Sequence, residues 1–132
     1  MSNRATLARY FGRTAESLAP EQSSLTIEDL IARAKGGDAK AVSALQTTAR
    51  YLGLGLGAVI NVLDPARVYV GGEITAAWDL LEGTIRSALA ERTLIPAAAS
   101  TPIRPVSSGE HPRLQGAAAL VTAPAFAAPV VA

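Results

Sequence analysis

The chain has 132 residues and a mass of 13.6 kDa, room for one domain, and its 49% apolar content supplies a core and excludes disorder throughout. Twelve Lys and Arg against eleven Asp and Glu leave a net charge of +1, without the dense basic face that phosphate-held nucleic acid requires. With no cysteine, a single histidine (His111) and no run of about 18 apolar residues, disulfides, thiolate or multi-histidine metal sites and a membrane span are all excluded.

Met1-Ser2-Asn3-Arg4 is followed by no apolar signal-peptide core, so a cytoplasmic location is expected. Residues 4–19 read as a helix carrying Ala5, Leu7, Ala8, Tyr10 and Phe11, interrupted by Gly12 and stopped by Pro20. Residues 21–24 are a polar linker. Thr26 stands three residues before Asp29 in the pattern of a capping box, and Ile27, Leu30, Ile31 and Ala34 follow at helical spacing up to Gly36-Gly37. Asp38 can cap the next helix.

From Ala39 to Leu63 the residues Val42, Leu45, Ala49, Leu52, Leu56, Val59, Ile60 and Leu63 hold a 3.6-residue stripe, which Asp64-Pro65 ends. The second half of this helix has hardly a polar side chain before Asn61 and is expected to be buried on all sides. Arg67 to Val70 is the best strand, closed by Gly71-Gly72. Thr75 can cap a helix over 76–92 with Trp78, Leu81, Ile85, Ala88 and Leu89 on one face. Residues 96–102 form an Ala/Pro loop, and 103–106 a second strand that Pro102 and Pro105 confine to an edge. A final helix is expected over 114–126. Two short strands do not make a stable sheet, so the chain reads as a piece of something longer.

Gly53-Leu54-Gly55-Leu56-Gly57 invites a phosphate-loop reading, but such a loop needs glycines directly after a strand and before a helix N-terminus. These lie inside a helical stripe, so they are expected to admit a close neighbour, at about 1 kcal/mol each in helix propensity. Gly71-Gly72 has the better context, because the carboxyl end of a strand is where open α/β folds place ligands. An ordinary strand-to-helix turn needing permissive backbone is the competing reading. His111 has only adjacent Glu110 as a partner acid and is read as structural or exposed. Asp64 ends a helix, Glu28 and Asp29 complement a helix dipole, and Trp78 belongs to the core. No catalytic residue and no metal ligand emerges.

The run from Ala49 to Gly72, ARYLGLGLGAVINVLDPARVYVGG, closely resembles the C-terminal part of the ROK family, which groups bacterial sugar-responsive repressors, open reading frames and sugar kinases. The family shows a helix of the form YLGxGLxxxxNxxxP and then a strand ending in glycines. Gly116-Ala117-Ala118 is similar to its closing helix, Gly36-Gly37-Asp38-Ala39 to an upstream helix junction, and Ser2-Asn3-Arg4-Ala5 to the segment just after its zinc motif. The resemblance therefore extends over nearly the whole chain.

It implies a helix-rich α/β fold, a partial C-terminal lobe of an actin-like (RNase H-like) ATPase with two short strands. Residues 1–132 would be a single partial domain, with an N-terminal helix and linker over 1–23 and the main body over 24–132. Carried over by position, Gly71 and Gly72 match the glycine turn beside the nucleotide cleft, and Gly55 and Asn61 match the helix packed near it. Glu73 stands where kinase members often have a third glycine, and a carboxylate there repels a polyphosphate. The family's phosphate loop, sugar-binding motifs, catalytic aspartate, zinc site and, in repressors, DNA-binding helices would lie upstream of Met1.

The resemblance thus implies the effector-domain segment of a sugar-responsive regulator, giving scaffold and subunit contacts, with sugar and DNA reached only through the missing parts and no cofactor in this chain. A fragment of an ATP-dependent sugar kinase is the alternative, with ATP and Mg confined to that parent, and a stand-alone helical module is a third reading. All three expect self-association, because apolar surface and strand edges are left uncovered.

Overall fold

A computed structural model describes residues 3–13 and 24–107. The elements in chain order are α1 (Asn3–Tyr10), α2 (Ile27–Lys35), α3 (Ala39–Leu63), β1 (Val68–Gly71), a 3-10 segment (Glu73–Ala77), α4 (Trp78–Arg92), α5 (Pro96–Ala99) and β2 (Ile103–Val106). The predicted helix 114–126, together with His111 and Gly116, lies outside the described residues.

Local chemistry sets most boundaries. Thr26 Oγ1 accepts from the Asp29 amide at 3.1 Å while the Asp29 carboxylate accepts from the Thr26 amide at 3.0 Å, a closed capping box. Asp38 accepts from the amides of Lys40 and Ala41 at 2.9 and 3.2 Å and starts α3. Asp64 ends α3 at φ 43°, its amide donating to Ile60 O at 2.9 Å. Helix α1 stops at Tyr10 and Gly12 takes φ 66°, so the glycine expected to interrupt the helix lies in the turn that ends it. Thr75 does not cap α4: its hydroxyl donates to Gly72 O at 2.7 Å, and a 3-10 segment precedes the helix. Part of the expected Ala/Pro loop is the one-turn helix α5, with Pro96 in its first turn, where the missing amide costs nothing.

Helix α3 is the axis of the fold. Contacts between its Gly53 and the α4 residues Ile85 and Ala88, and between its Gly57 and Leu89 and Arg92, advance in the same sense along both helices. The two therefore run parallel in direction, with Leu45, Ile60, Leu81, Ile85 and Leu89 fully buried around the seam. At the surface of the seam Arg50 grips Glu91 with two bonds of 2.7 and 2.8 Å. Helices α1 and α2 cover the N-terminal half of α3 with Leu7, Ala8, Leu30 and Ile31. Buried Thr48 gives its proton to Ala44 O at 3.0 Å and accepts from Thr6 at 2.9 Å, which satisfies both hydroxyls.

β1 and β2 pair with each other in parallel, Val68 opposite Ile103 and Gly71 opposite Val106, with α4 and α5 in the crossover. The expected shortage of partners is met to this extent, and among the described residues each strand keeps one unpaired edge. The expectation that the second half of α3 is buried all round is wrong. Gly53, Gly57 and Ile60 are buried, but Val59, Val62 and Leu63 are 45%, 81% and 69% exposed. An all-apolar sequence marks what a helix tolerates, whereas burial depends on how many neighbours reach it. Among the described residues no helix is long and apolar enough to cross a membrane.

Candidate functional site

The end of β1 is a braced, open turn. Gly71 closes the strand, Gly72 takes φ 114° and ψ 170°, and Glu73 opens the 3-10 segment. A side chain at that φ is strained, so glycine is required at Gly72 by conformation, and no heavy atom lies within 4 Å of where its Cβ would be. Three neighbours fix the turn. The Thr75 amide and hydroxyl both donate to Gly72 O, at 3.0 and 2.7 Å, and the hydroxyl also reaches Val106 O on β2 at 3.3 Å. From α1 the Asn3 side-chain amide donates to the Glu73 carboxylate, and from α2 the Lys35 ammonium donates to Ala76 O at 3.0 Å.

Gly71, Gly72 and Glu73 are all exposed, at the carboxyl end of a parallel strand. Bare backbone here admits a flat ring, and the Glu73 carboxylate offers an acceptor to hydroxyl or cationic groups. The same carboxylate opposes a polyphosphate: like charges about 4 Å apart repel by about 1 kcal/mol in water and by several times that near protein. A triphosphate therefore does not fit the residues present, and neither does a thiolate zinc site in a chain without cysteine. Among the described residues no group of three or more His, Asp or Glu is placed to hold a metal ion.

The other two predicted site residues are elsewhere. Gly55 is exposed on the outer face of α3, with open space around it. Asn61 fastens the far end of α4: its Nδ2 donates to Arg92 O at 2.7 Å and its Oδ1 accepts from the Leu94 amide at 3.2 Å. Gly72 leads into the opposite end of α4, and a 15-residue helix is about 22 Å long. The structure thus brings Gly71, Gly72 and Glu73 together and leaves Gly55 and Asn61 apart from them. Asn3 and Thr75, which brace the turn, were missed as site residues; their partners lie 70 and 31 residues away, and spacing carries no signal at that range.

Comparison with known proteins adds the following. The model of the ROK family matches residues 1–123. No curated protein matches the chain. Among solved structures, a ROK family transcriptional regulator, a homologue of the E. coli MLC protein, superposes with a TM-score of 0.66 at 27% identity, covering 79% of this chain and 27% of that one. A proposed sugar kinase from Cytophaga hutchinsonii superposes with a TM-score of 0.62 at 24% identity, covering 81% of this chain and 34% of that one. The second likeness is one of fold alone. The chain spans about a third or less of the length of either relative.

Proposed function

The chain belongs to the ROK family, with the helix-rich fold of part of its actin-like lobe, and from that premise we propose that it is the C-terminal effector-domain segment of a sugar-responsive transcriptional regulator. Its part is scaffold and subunit contact, with no catalysis and no cofactor of its own. The sugar effector and DNA contacts belong to other parts of the regulator, and the protein works in the cytoplasm. The observation that carries this reading over a kinase is Glu73, held by Asn3 in a turn otherwise suited to a nucleotide.

Titration of the purified chain with Mg-ATP tests it. The expected result is no saturable binding by the wild-type chain and measurable binding after Glu73→Gly, which removes the repelling charge. Saturable Mg-ATP binding by the wild-type chain, or phosphoryl transfer to a hexose, would make the kinase reading the right one.

Subunit contact has its own surface. Val59, Val62 and Leu63 at the end of α3 are exposed, and so are Leu94 and Ile95 just after α4, at 85% and 64%, with Leu94 tied to α3 through its amide bond to Asn61. At about 100 Å² for each large aliphatic side chain, these five exposed residues together supply roughly half of the ~800 Å² that each partner gives to a standard interface. A second copy of the chain meeting them across a two-fold is the proposed occupant. Sedimentation velocity should show a dimer that Val62→Glu and Leu94→Glu together convert to monomer. A wild-type chain that stays monomeric at high concentration removes the subunit contact and leaves the nucleotide result untouched.

A further inference from the structure

A concavity of about 690 Å³ lies between the end of α1 and the first half of α3. Its volume is within the range of small-molecule sites, about 300–1,000 Å³. Arg9 and Arg13 stand on one wall; Lys40, Ser43, Thr47 and Tyr51 on the other. Three cations, two aliphatic hydroxyls and two phenols (Tyr10 and Tyr51) thus line the groove, and none of its lining residues is acidic. The nearest acid in sequence, Asp38, is turned onto the α3 amides and the Tyr10 hydroxyl, which also accepts from Arg33 at 2.9 Å.

Two features separate this groove from an ordinary solvated basic surface. Arg9 is held in place before any ligand arrives: its Nη1 donates to buried Thr48 at 3.0 Å and its guanidinium lies 5.1 Å from the Tyr51 ring centre. Lys40 sits in the first turn of a 25-residue helix, where the helix dipole disfavours a cation, and its ammonium has no ion-pair partner among the described residues. A side chain that opposes its own helix there is suited to an anion brought from outside.

We propose that this groove binds a small phosphate-bearing ligand, its phosphate held between Lys40 and Arg9 and its hydroxyl groups by Ser43 and Thr47. The site is independent of the Gly71–Glu73 turn, whose charge is of the opposite sign.

The test is a titration of the full chain followed by amide NMR and calorimetry, with inorganic phosphate, glucose 6-phosphate, adenosine monophosphate and uncharged glucose as probes. Saturable shifts centred on Lys40, Ser43 and Thr47 with at least one phosphate-bearing probe, and none with glucose, are expected. The pattern among those probes tells a sugar from a nucleoside carrier of the phosphate. Lys40→Glu should weaken binding about tenfold or more, while Lys40→Arg retains it. The reversal puts an acid in the first turn of α3, which the dipole favours, so the variant folds and its thermal midpoint does not fall. No saturable shift with any phosphate probe, or an affinity that Lys40→Glu leaves unchanged, overturns the proposal.

Discussion

The two faces of α3 between Gly53 and Leu63 carry the same kinds of residue for opposite reasons. On the inner face a Cβ at Gly53 would lie 2.3 Å from Ile85 O, and one at Gly57 would lie 2.8 Å from the Arg92 Cβ. On the outer face Gly55 meets nothing within 4 Å, and Val59 and Val62 look onto solvent. Glycines four apart let α4 press its backbone against the helix, whereas the glycine between them is there without any contact that demands it. The lesson concerns spacing: in a run of alternating glycines, only the pair on the i, i+4 row shares a face.

Substitutions at the inner pair should have the largest effect. Gly53→Ala places a methyl group against a backbone carbonyl that has no rotamer to yield. The expected loss lies at the upper end of the about 1–3 kcal/mol typical of overpacking, even after a gain of about 1 kcal/mol in helix propensity. Gly57→Ala should cost less, because its closest approach is 2.8 Å, to the Arg92 Cβ, against 2.3 Å at Gly53. Urea unfolding should show a lower midpoint at unchanged slope. An unmoved midpoint for Gly53→Ala would mean that α3 and α4 do not touch at this distance.

Asn61 sharpens the comparison at the end of the same seam. Its side chain makes both of its hydrogen bonds to the end of α4 and the residues just after it, so Asn61→Ala should cost about 1–2 kcal/mol for two lost bonds. Amide exchange at Leu94 should speed up with it. A variant of wild-type stability that had lost only a ligand would return Asn61 to the ligand-facing role that family resemblance assigns to it.

How much of this was legible in the sequence follows from the range of the interactions. The capping box at Thr26 and Asp29, the Asp38 cap and the Asp64-Pro65 stop are contacts within three or four residues, and their chemistry reads directly from the chain. The packing role of the glycine run was legible too, because glycines inside a helical stripe lie in the wrong place for a phosphate loop. Which glycines pack was not, since Ile85 and Arg92 lie more than thirty residues away. The same holds for the turn: Gly71 and Gly72 stand out after a strand, but nothing local announces Asn3 as the partner of Glu73. Burial of the second half of α3 was misread because composition says how apolar a segment is, and the number of elements packed on it says how far it is buried.

Gly55 supplies the opposite sign. With open space around it and an ordinary helical backbone, Gly55→Ala should stabilise the chain by about 0.5–1 kcal/mol, through propensity and a less mobile unfolded state. Thermal unfolding measured beside Gly53→Ala gives two identical chemical changes, two residues apart, moving the midpoint in opposite directions. A loss of stability at Gly55 would show that the outer face is covered in solution, and a loss that appears only at high protein concentration would place a second copy of the chain there.

Acid should then separate the uncharged seam from the helix starts. The Asp29 carboxyl is held below its usual value, first by the Thr26 amide and then by the Thr26 hydroxyl. The Asp38 carboxyl is held low by the Ala41 amide above all, with the Tyr10 hydroxyl, the Lys40 amide and the charge of Arg33 adding to it. Glu91 is lowered by its bond to Arg50. A folded-state value below the unfolded one means stability that is complete above the unfolded value, near 3.8 for the two aspartates, and lost as pH falls through the lower, folded value. Circular dichroism should therefore report a loss that begins below about pH 5 and continues below the unfolded value. Because Asp29 and Glu91 are exposed and Asp38 is only half-buried, each share is small. Asp38→Asn keeps a carbonyl acceptor for the α3 amides and removes the charge, so it should flatten the acid limb without breaking the helix start. The buried contacts of Gly53 and Gly57 carry no titrating group, so amide protection in the middle of the seam should persist after protection at Lys40 and Ala41 has gone. Simultaneous loss at both places would mean that the helix starts and the seam open as one unit, and that the inner face of α3 depends on the caps as much as on its glycines.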